Sequence, residues 1–195
     1  MPPITKLWLC TLKEGKSLTD PALTQLLADI LTLCTSYTNP NTLSPMHAFY
    51  QVTNDPSHLF MITGYQCQEL NTEADKAYAE KYLPRLFEYV RHQWLRQVEV
   101  DVREMPLDGD AVVCCSGPGS DSDSHCNSVE GGGKGVGGWD VWKMTQQGKQ
   151  AGVVQGVRGS EPVGERIWVQ VSPWEGSERV GEEHETFYLR KIMSR

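Results

Sequence analysis

Long apolar runs are missing from this chain. No segment of its 195 residues approaches the ~18 consecutive apolar positions of a membrane-spanning helix, which argues against a membrane protein of that kind. Basic residues are short as well: 18 Lys+Arg stand against 25 Asp+Glu, a formal net charge of −7. A nucleic-acid surface, which needs a clustered basic face, is therefore not expected. The start Met1-Pro2-Pro3-Ile4-Thr5-Lys6 lacks the basic stretch followed by an apolar one that marks a secretory signal. A cytoplasmic protein is expected, its six cysteines reduced. Familiar catalytic signatures are lacking too, with no Gly-x-Ser-x-Gly elbow and no His-Glu-x-x-His pair. The glycine-rich run over 131–138 has no Gly-Lys-Ser/Thr ending, so no nucleotide site follows from it.

What is present is the ordinary apolar share of a globular protein, unevenly spread. Residues 107–138 hold nine of the 18 glycines, five acids against one lysine, and no aromatic residue. Such a stretch has too little apolar surface to offset its ordering entropy and reads as a flexible insert. It separates an N-terminal domain, 1–106, from a C-terminal extension, 139–195.

The N-terminal domain reads as β-α-β-β-α-β. A β-rich run over 4–12 ends at Lys13-Glu14-Gly15. Asp20 as N-cap and Pro21 at the first helical position open a helix whose Leu23, Leu26, Leu27, Ile30, Leu31 and Cys34 form one stripe. Strands over 47–53 and 58–66 flank the turn Asn54-Asp55-Pro56-Ser57. A second helix starts at Asn71, is interrupted by Pro84, and is followed by a strand over 94–102. This order predicts an α+β fold: a ferredoxin-like βαββαβ antiparallel sheet with both helices on one face. The other face needs cover, which predicts a homodimer packed sheet to sheet. The C-terminal extension adds strands over 139–144, 166–171 and 186–192. Its segment 168–174 can be laid on 59–65 at a constant offset of 109 residues, so a degenerate second half-unit, closing a barrel within one chain, is the alternative to the dimer.

Among ionisable groups, His47 and His58 each begin a strand of one hairpin and can lie close together. A histidine near its ordinary pKa is a general base at neutral pH, suited to deprotonating a phenol or β-diketone; solvent-facing strand ends are the alternative. Tyr50 and Tyr65 can orient a phenolic ring and Trp8 and Trp94 can stack on it, unless these aromatics are core. Cys114, Cys115, His125 and Cys126 lack the spacing of zinc ligands, and no metal site is expected.

The strand ending Leu12-Lys13-Glu14-Gly15, the segment Phe49-Tyr50-Gln51-Val52-Thr53-Asn54-Asp55-Pro56, the segment Leu59-Phe60-Met61-Ile62-Thr63-Gly64-Tyr65 before an acidic helix, and the closing Trp94-Leu95-Arg96-Gln97-Val98-Glu99-Val100-Asp101 together resemble the antibiotic-biosynthesis-monooxygenase-like domains of the dimeric α/β-barrel superfamily, in particular fungal members. The resemblance implies a cofactor-independent, monooxygenase-like enzyme acting on an aromatic or polyketide-like substrate. A cyclase or isomerase on the same fold, or a non-catalytic binding or assembly module, is the alternative. Within this reading the candidate catalytic residues are His47, His58 and Tyr65, and the candidate substrate-binding residues are Trp8, Tyr50 and Trp94. Tyr65 falls where the family carries Trp, whereas Met61 replaces the Asn of some monooxygenases. The haem-degrading branch's Asn, Trp and His positions fall on Trp8, Tyr65 and Asp75, so haem degradation is not expected.

Overall fold

The computed structural model describes residues 3–38, 44–98, 100–116, 136–140, 166–174 and 185–195. The apolar stripe of the first helix becomes the buried face of α1 (Pro21–Ser36), and the Asp20 carboxylate accepts from the Ala22 amide at 2.8 Å. That bond satisfies one of the donors a helix start leaves open. The β-branched and aromatic runs form β1 (Ile4–Leu12), β2 (His47–Val52), β3 (His58–Tyr65) and β4 (Val90–Val98). Between β3 and β4 lie α2 (Gln68–Lys81) and a single turn, α3 (Leu83–Leu86), restarted at Pro84. A short 3-10 helix, Val102–Glu104, leads into β5 (Ala111–Ser116), followed by β6 (Val136–Asp140), β7 (Arg166–Pro173) and β8 (Glu185–Ser194).

The architecture is α+β. All strand pairings are antiparallel, and the eight strands close into a barrel of order β1-β3-β2-β8-β5-β7-β6-β4. The order falls into two runs of four, β4-β1-β3-β2 and β8-β5-β7-β6, the second repeating the first with every number raised by four. Two seams join the runs, β2 on β8 and β4 on β6.

Strand alternation sorts the side chains into two cores. Leu7, Leu9, Ala48, Tyr50, Phe60, Ile62, Trp94 and Val98 point into the barrel, where Val113, Cys115, Val169, Phe187 and Leu189 of the C-terminal strands meet them. Trp8, Cys10, Phe49, Leu59 and Met61 point the other way, onto the α1 stripe and Tyr82 and Leu86. The sheet face that called for a second copy is thus covered by the same chain.

Three sequence expectations change. The stretch 107–138 is not uniformly an insert: Leu107 is buried, Ala111–Ser116 is a barrel strand with buried Val112, Val113, Cys114 and Cys115, and Val136–Gly138 belongs to β6. The six apolar residues at its start, Leu107 and the run from Ala111 to Cys115, are diluted by the glycines that follow. Residues 117–135, with His125 and Cys126, lie outside the described residues, as do 141–144 of the expected third-last strand. The second helix begins at Gln68 rather than Asn71; its N-cap Cys67 makes no side-chain capping bond, so no cap residue marks the start. β4 begins at Val90 and contains an irregularity opposite Leu9 and Cys10, where Trp94 pairs with Leu9 but His92 with Cys10. The extra residue, Gln93, turns His92 toward the helices and Trp94 into the barrel, although both are even-numbered.

Candidate functional site

Between the sheet and the helices lies a layer that is polar at one end. β1 contributes Lys6, β2 His47, and β3 Thr63 and Tyr65, neighbours because His47 pairs directly with Thr63 and Thr63 with Lys6. α1 adds Cys34 and α2 adds Asn71, Asp75 and Tyr78. Lys6, Thr63, Tyr65 and Cys34 are each at most 5 % exposed, and His47 is fully buried.

His47 organises this end. Its Nδ1 lies 2.5 Å from the Thr63 hydroxyl, and its ring centroid 5.5 Å from that of Tyr65. Thr63 and Cys34 both hydrogen-bond the Tyr65 hydroxyl, which donates to the Cys34 sulfur. Running the donors in one direction gives His47 Nδ1–H to Thr63, Thr63 to Tyr65 and Tyr65 to Cys34. That direction places the imidazole lone pair on Nε2, which is buried and has no partner among the described residues. Burial, then the nearby Lys6 charge, lowers the His47 pKa to about 3, so the ring is neutral. Burial likewise raises the Cys34 thiol to about 11, against the lowering effect of its bond from Tyr65, and raises the Tyr65 phenol. All three groups therefore hold hydrogen-bonding protons rather than charges.

Charge enters through one ion pair. Lys6 Nζ contacts the Asp75 carboxylate, with side-chain exposures of 6 % and 19 %, and lies 5.8 Å from the Tyr65 ring centre. The pairing offsets the cost of taking an ammonium out of water and holds a cation beside His47.

Further along the same layer Trp8 Nε1 donates to His92 Nδ1 at 2.6 Å, and the Trp8 ring meets Tyr78 edge-on at 6.1 Å. Trp8 therefore shares the layer with His47 and Tyr65. The other three expected residues do not. His58 pairs with Asp55 at 2.9 Å in the hairpin turn; it stands five residues along β3 from His47's partner, or roughly 17 Å. The two histidines start strands that run in opposite directions, which puts them at opposite ends of the hairpin. Tyr50 and Trp94 face into the barrel, on the other side of the sheet. There Trp94 meets Phe60 at 5.5 Å and Phe187 at 5.7 Å, beneath the Arg96 guanidinium, which lies 4.0 Å from its ring and pairs with Glu185 at 2.7 Å.

Sequence reasoning did not single out Lys6, Thr63, Asn71 or Cys34 as site residues. Lys6 sits mid-strand and Asn71 and Asp75 share a helix face, patterns that ordinarily mark solvated positions. One signal was available: Lys6, Trp8 and Cys10 alternate with Thr5, Leu7 and Leu9, so the lysine shares its strand face with a tryptophan. Among the described residues no group of His, Cys, Asp and Glu is arranged to hold a metal ion, and no helix is long and apolar enough to cross a membrane.

No family model matches this sequence, and no curated protein does. Solved structures are similar in fold. A candidate monooxygenase from Fusobacterium nucleatum superposes with a TM-score of 0.57 at 8% identity, over 99% of this chain and 94% of that one. A candidate monooxygenase from Lactobacillus acidophilus gives 0.50 at 8% identity, over 100% and 96%. A candidate chlorite dismutase gives 0.51 at 13% identity, over 98% and 96%. These likenesses run through both halves of the chain.

Proposed function

We propose that the chain is a monooxygenase-like enzyme of the dimeric α/β-barrel type, its second half a degenerate copy of a ferredoxin-like first half. In this reading it acts on an aromatic or polyketide-like substrate held between sheet and helices, without a metal or organic cofactor. The observation that carries the reading is His47 Nε2, buried near the Lys6 cation on a ring held by Thr63 and without a partner among the described residues. The fold neighbours named as candidate monooxygenases support it.

The chemistry follows from what each group can do. His47 Nε2 accepts the proton of a phenol or of an activated C–H next to a carbonyl. An imidazolium alone is costly in so buried a layer, but the substrate anion formed with it supplies a counter-charge, and Lys6 stabilises the same anion. An electron-rich carbanion or phenolate can reduce dioxygen itself: conversion of a ring CH2 to C=O by O2 releases one water, with the substrate supplying the electrons. Trp8, stacked along the layer, offers a flat wall for such a ring. An aldol-type cyclisation would begin with the same proton transfer, and oxygen consumption separates the two.

The test is an oxygen-electrode assay with 1,8-dihydroxyanthrone. Oxygen uptake above the spontaneous rate is expected from the intact chain, and about 100-fold less from His47→Gln, the lower end of what a positioned base contributes. His58→Gln, remote at the hairpin turn, is expected to retain activity. Absence of uptake with the intact protein, or a His47→Gln variant as fast as the parent, would sink the proposal.

A further inference from the structure

Whether His47 Nε2 can take a proton depends on which way the hydrogens run through its neighbours. Thr63 and Tyr65 stand two residues apart on β3, and so on one face of it. The Thr63 hydroxyl lies 2.5 Å from His47 Nδ1 and hydrogen-bonds the Tyr65 hydroxyl, which in turn meets Cys34 of α1. Thr63 has a single hydroxyl hydrogen. Given to Tyr65, it leaves a lone pair facing His47 Nδ1, and the ring hydrogen sits on Nδ1. Given to His47 Nδ1, it sends the ring hydrogen to Nε2, and a protonated Nε2 is no base. The hydrogen bond at one imidazole nitrogen thus decides what the other carries.

The choice is made at the far end, on the helix. Cys34 is 3 % exposed and its sulfur accepts from the Tyr65 hydroxyl. A thiol S–H is a weak donor and a phenol O–H a better one, so this contact runs from oxygen to sulfur. With its own hydrogen committed to Cys34, the Tyr65 oxygen is left to accept, and it takes the hydrogen of Thr63. The helix supplies an outlet for the thiol hydrogen as well. Thr32 and Thr35 donate to the carbonyls of Ala28 and Leu31, four residues back, at 2.9 and 2.8 Å, and the Ile30 carbonyl stands in the same relation to Cys34. Apolar packing alone would be served as well by valine. We propose that Cys34 is a positioning residue: by accepting from Tyr65 it fixes the direction of the Thr63 hydrogen and keeps His47 Nε2 unprotonated. The catalytic meaning of this inference rests on the functional reading above, to which it adds what holds the base in its working form.

The experiment reads the ring hydrogen directly, in long-range proton–nitrogen NMR spectra of protein labelled with 15N-histidine, at neutral pH where the ring is uncharged. The His47 signals are those lost in His47→Gln. The intact protein is expected to carry the hydrogen on Nδ1. In Cys34→Val, which keeps the bulk and removes the acceptor, the ratio of the Nδ1–H to the Nε2–H form falls about tenfold, the worth of one net hydrogen bond. Tyr65→Phe frees the Thr63 hydrogen by another route and shifts the ratio the same way. Cys34→Ser keeps the intact form, its hydroxyl hydrogen going to Ile30 and its oxygen accepting from Tyr65. Oxygen uptake with 1,8-dihydroxyanthrone follows the Nδ1–H fraction through kcat, with KM unchanged. An Nε2–H ring in the intact protein overturns the inference. So does a ring hydrogen that stays on Nδ1 in both Cys34→Val and Tyr65→Phe, which makes Cys34 a packing residue whose loss moves only the melting temperature. A ring that shifts as expected in a protein without oxygen uptake upholds the role of Cys34 and overturns the functional reading alone.

Discussion

His47 couples the site to stability through a proton it does not hold. Its pKa is lowered from 6.5 to about 3 by burial, with the Lys6 charge adding to the effect. Between those values the unfolded chain binds this proton and the folded chain does not. Stability from this residue is therefore fully present above about pH 6.5 and is lost as the pH falls toward 3. Urea unfolding at stepped pH should show a decline approaching tenfold in the folding equilibrium per pH unit across that window. In His47→Gln that part of the slope should vanish; an unchanged slope would mean that the ring is not kept neutral by its surroundings. A second residue, Gly64, shows how tightly the barrel end is closed. A Cβ at this position would stand 2.2 Å from Val102 Cγ1 and 2.4 Å from Val102 Cβ, and Val102 is itself buried at 1 % exposure. Gly64→Ala should cost ~1–3 kcal/mol through overpacking, read as a lower melting temperature. Adding Val102→Ala should restore part of it, and two additive losses would count against direct contact.

The elements are not joined equally around the barrel. β2 meets β8 over five register pairs, with further backbone bonds from Thr53 to Tyr188 and between His47 and Arg195 in both directions. Among the described residues β4 meets β6 over three pairs. Local opening follows the weaker joint, so amides bridging β4 and β6 should exchange with deuterium at least about tenfold faster than those bridging β2 and β8. Equal protection would show that the two seams open as one unit. The same elements differ in how much of them is written locally. β1, α1 and the β2–β3 hairpin are legible from alternation, the Asp20 cap and the turn residues, since these devices act within a few positions. The start of α2 has no capping side chain, β4 hides its bulge, and β5 is six residues whose apolar content becomes strand only by pairing with β7 and β8. The site divides in the same way. His47 and Tyr65 stand out as strand-end residues of chemical interest, whereas the meeting of Lys6 with Asp75, or of Tyr65 with Cys34, depends on helices docking across 31 to 69 positions of chain and leaves no local mark.

For the whole molecule the consequence concerns copy number. An uncovered apolar sheet face predicts a homodimer, yet Leu7, Leu9, Phe60 and Ile62 of the first half already pack with Val113, Val169 and Leu189 of the second. Light scattering on a sizing column should find the intact chain as a monomer, and a chain cut after residue 106, with that face bare, should dimerise or aggregate. A stable dimer of the intact chain would show that some other surface pairs. In a barrel made of two identical chains every substitution is made twice, and one that suits the first position must also suit the second. Here each change is made once. At the offset of 109 residues, β7 carries Ser172, with Trp174 just past its end, where β3 carries Thr63 and Tyr65. Selection can hold the His47 layer constant on one half while the other drifts, leaving one barrel with a single working layer and a second half free to change.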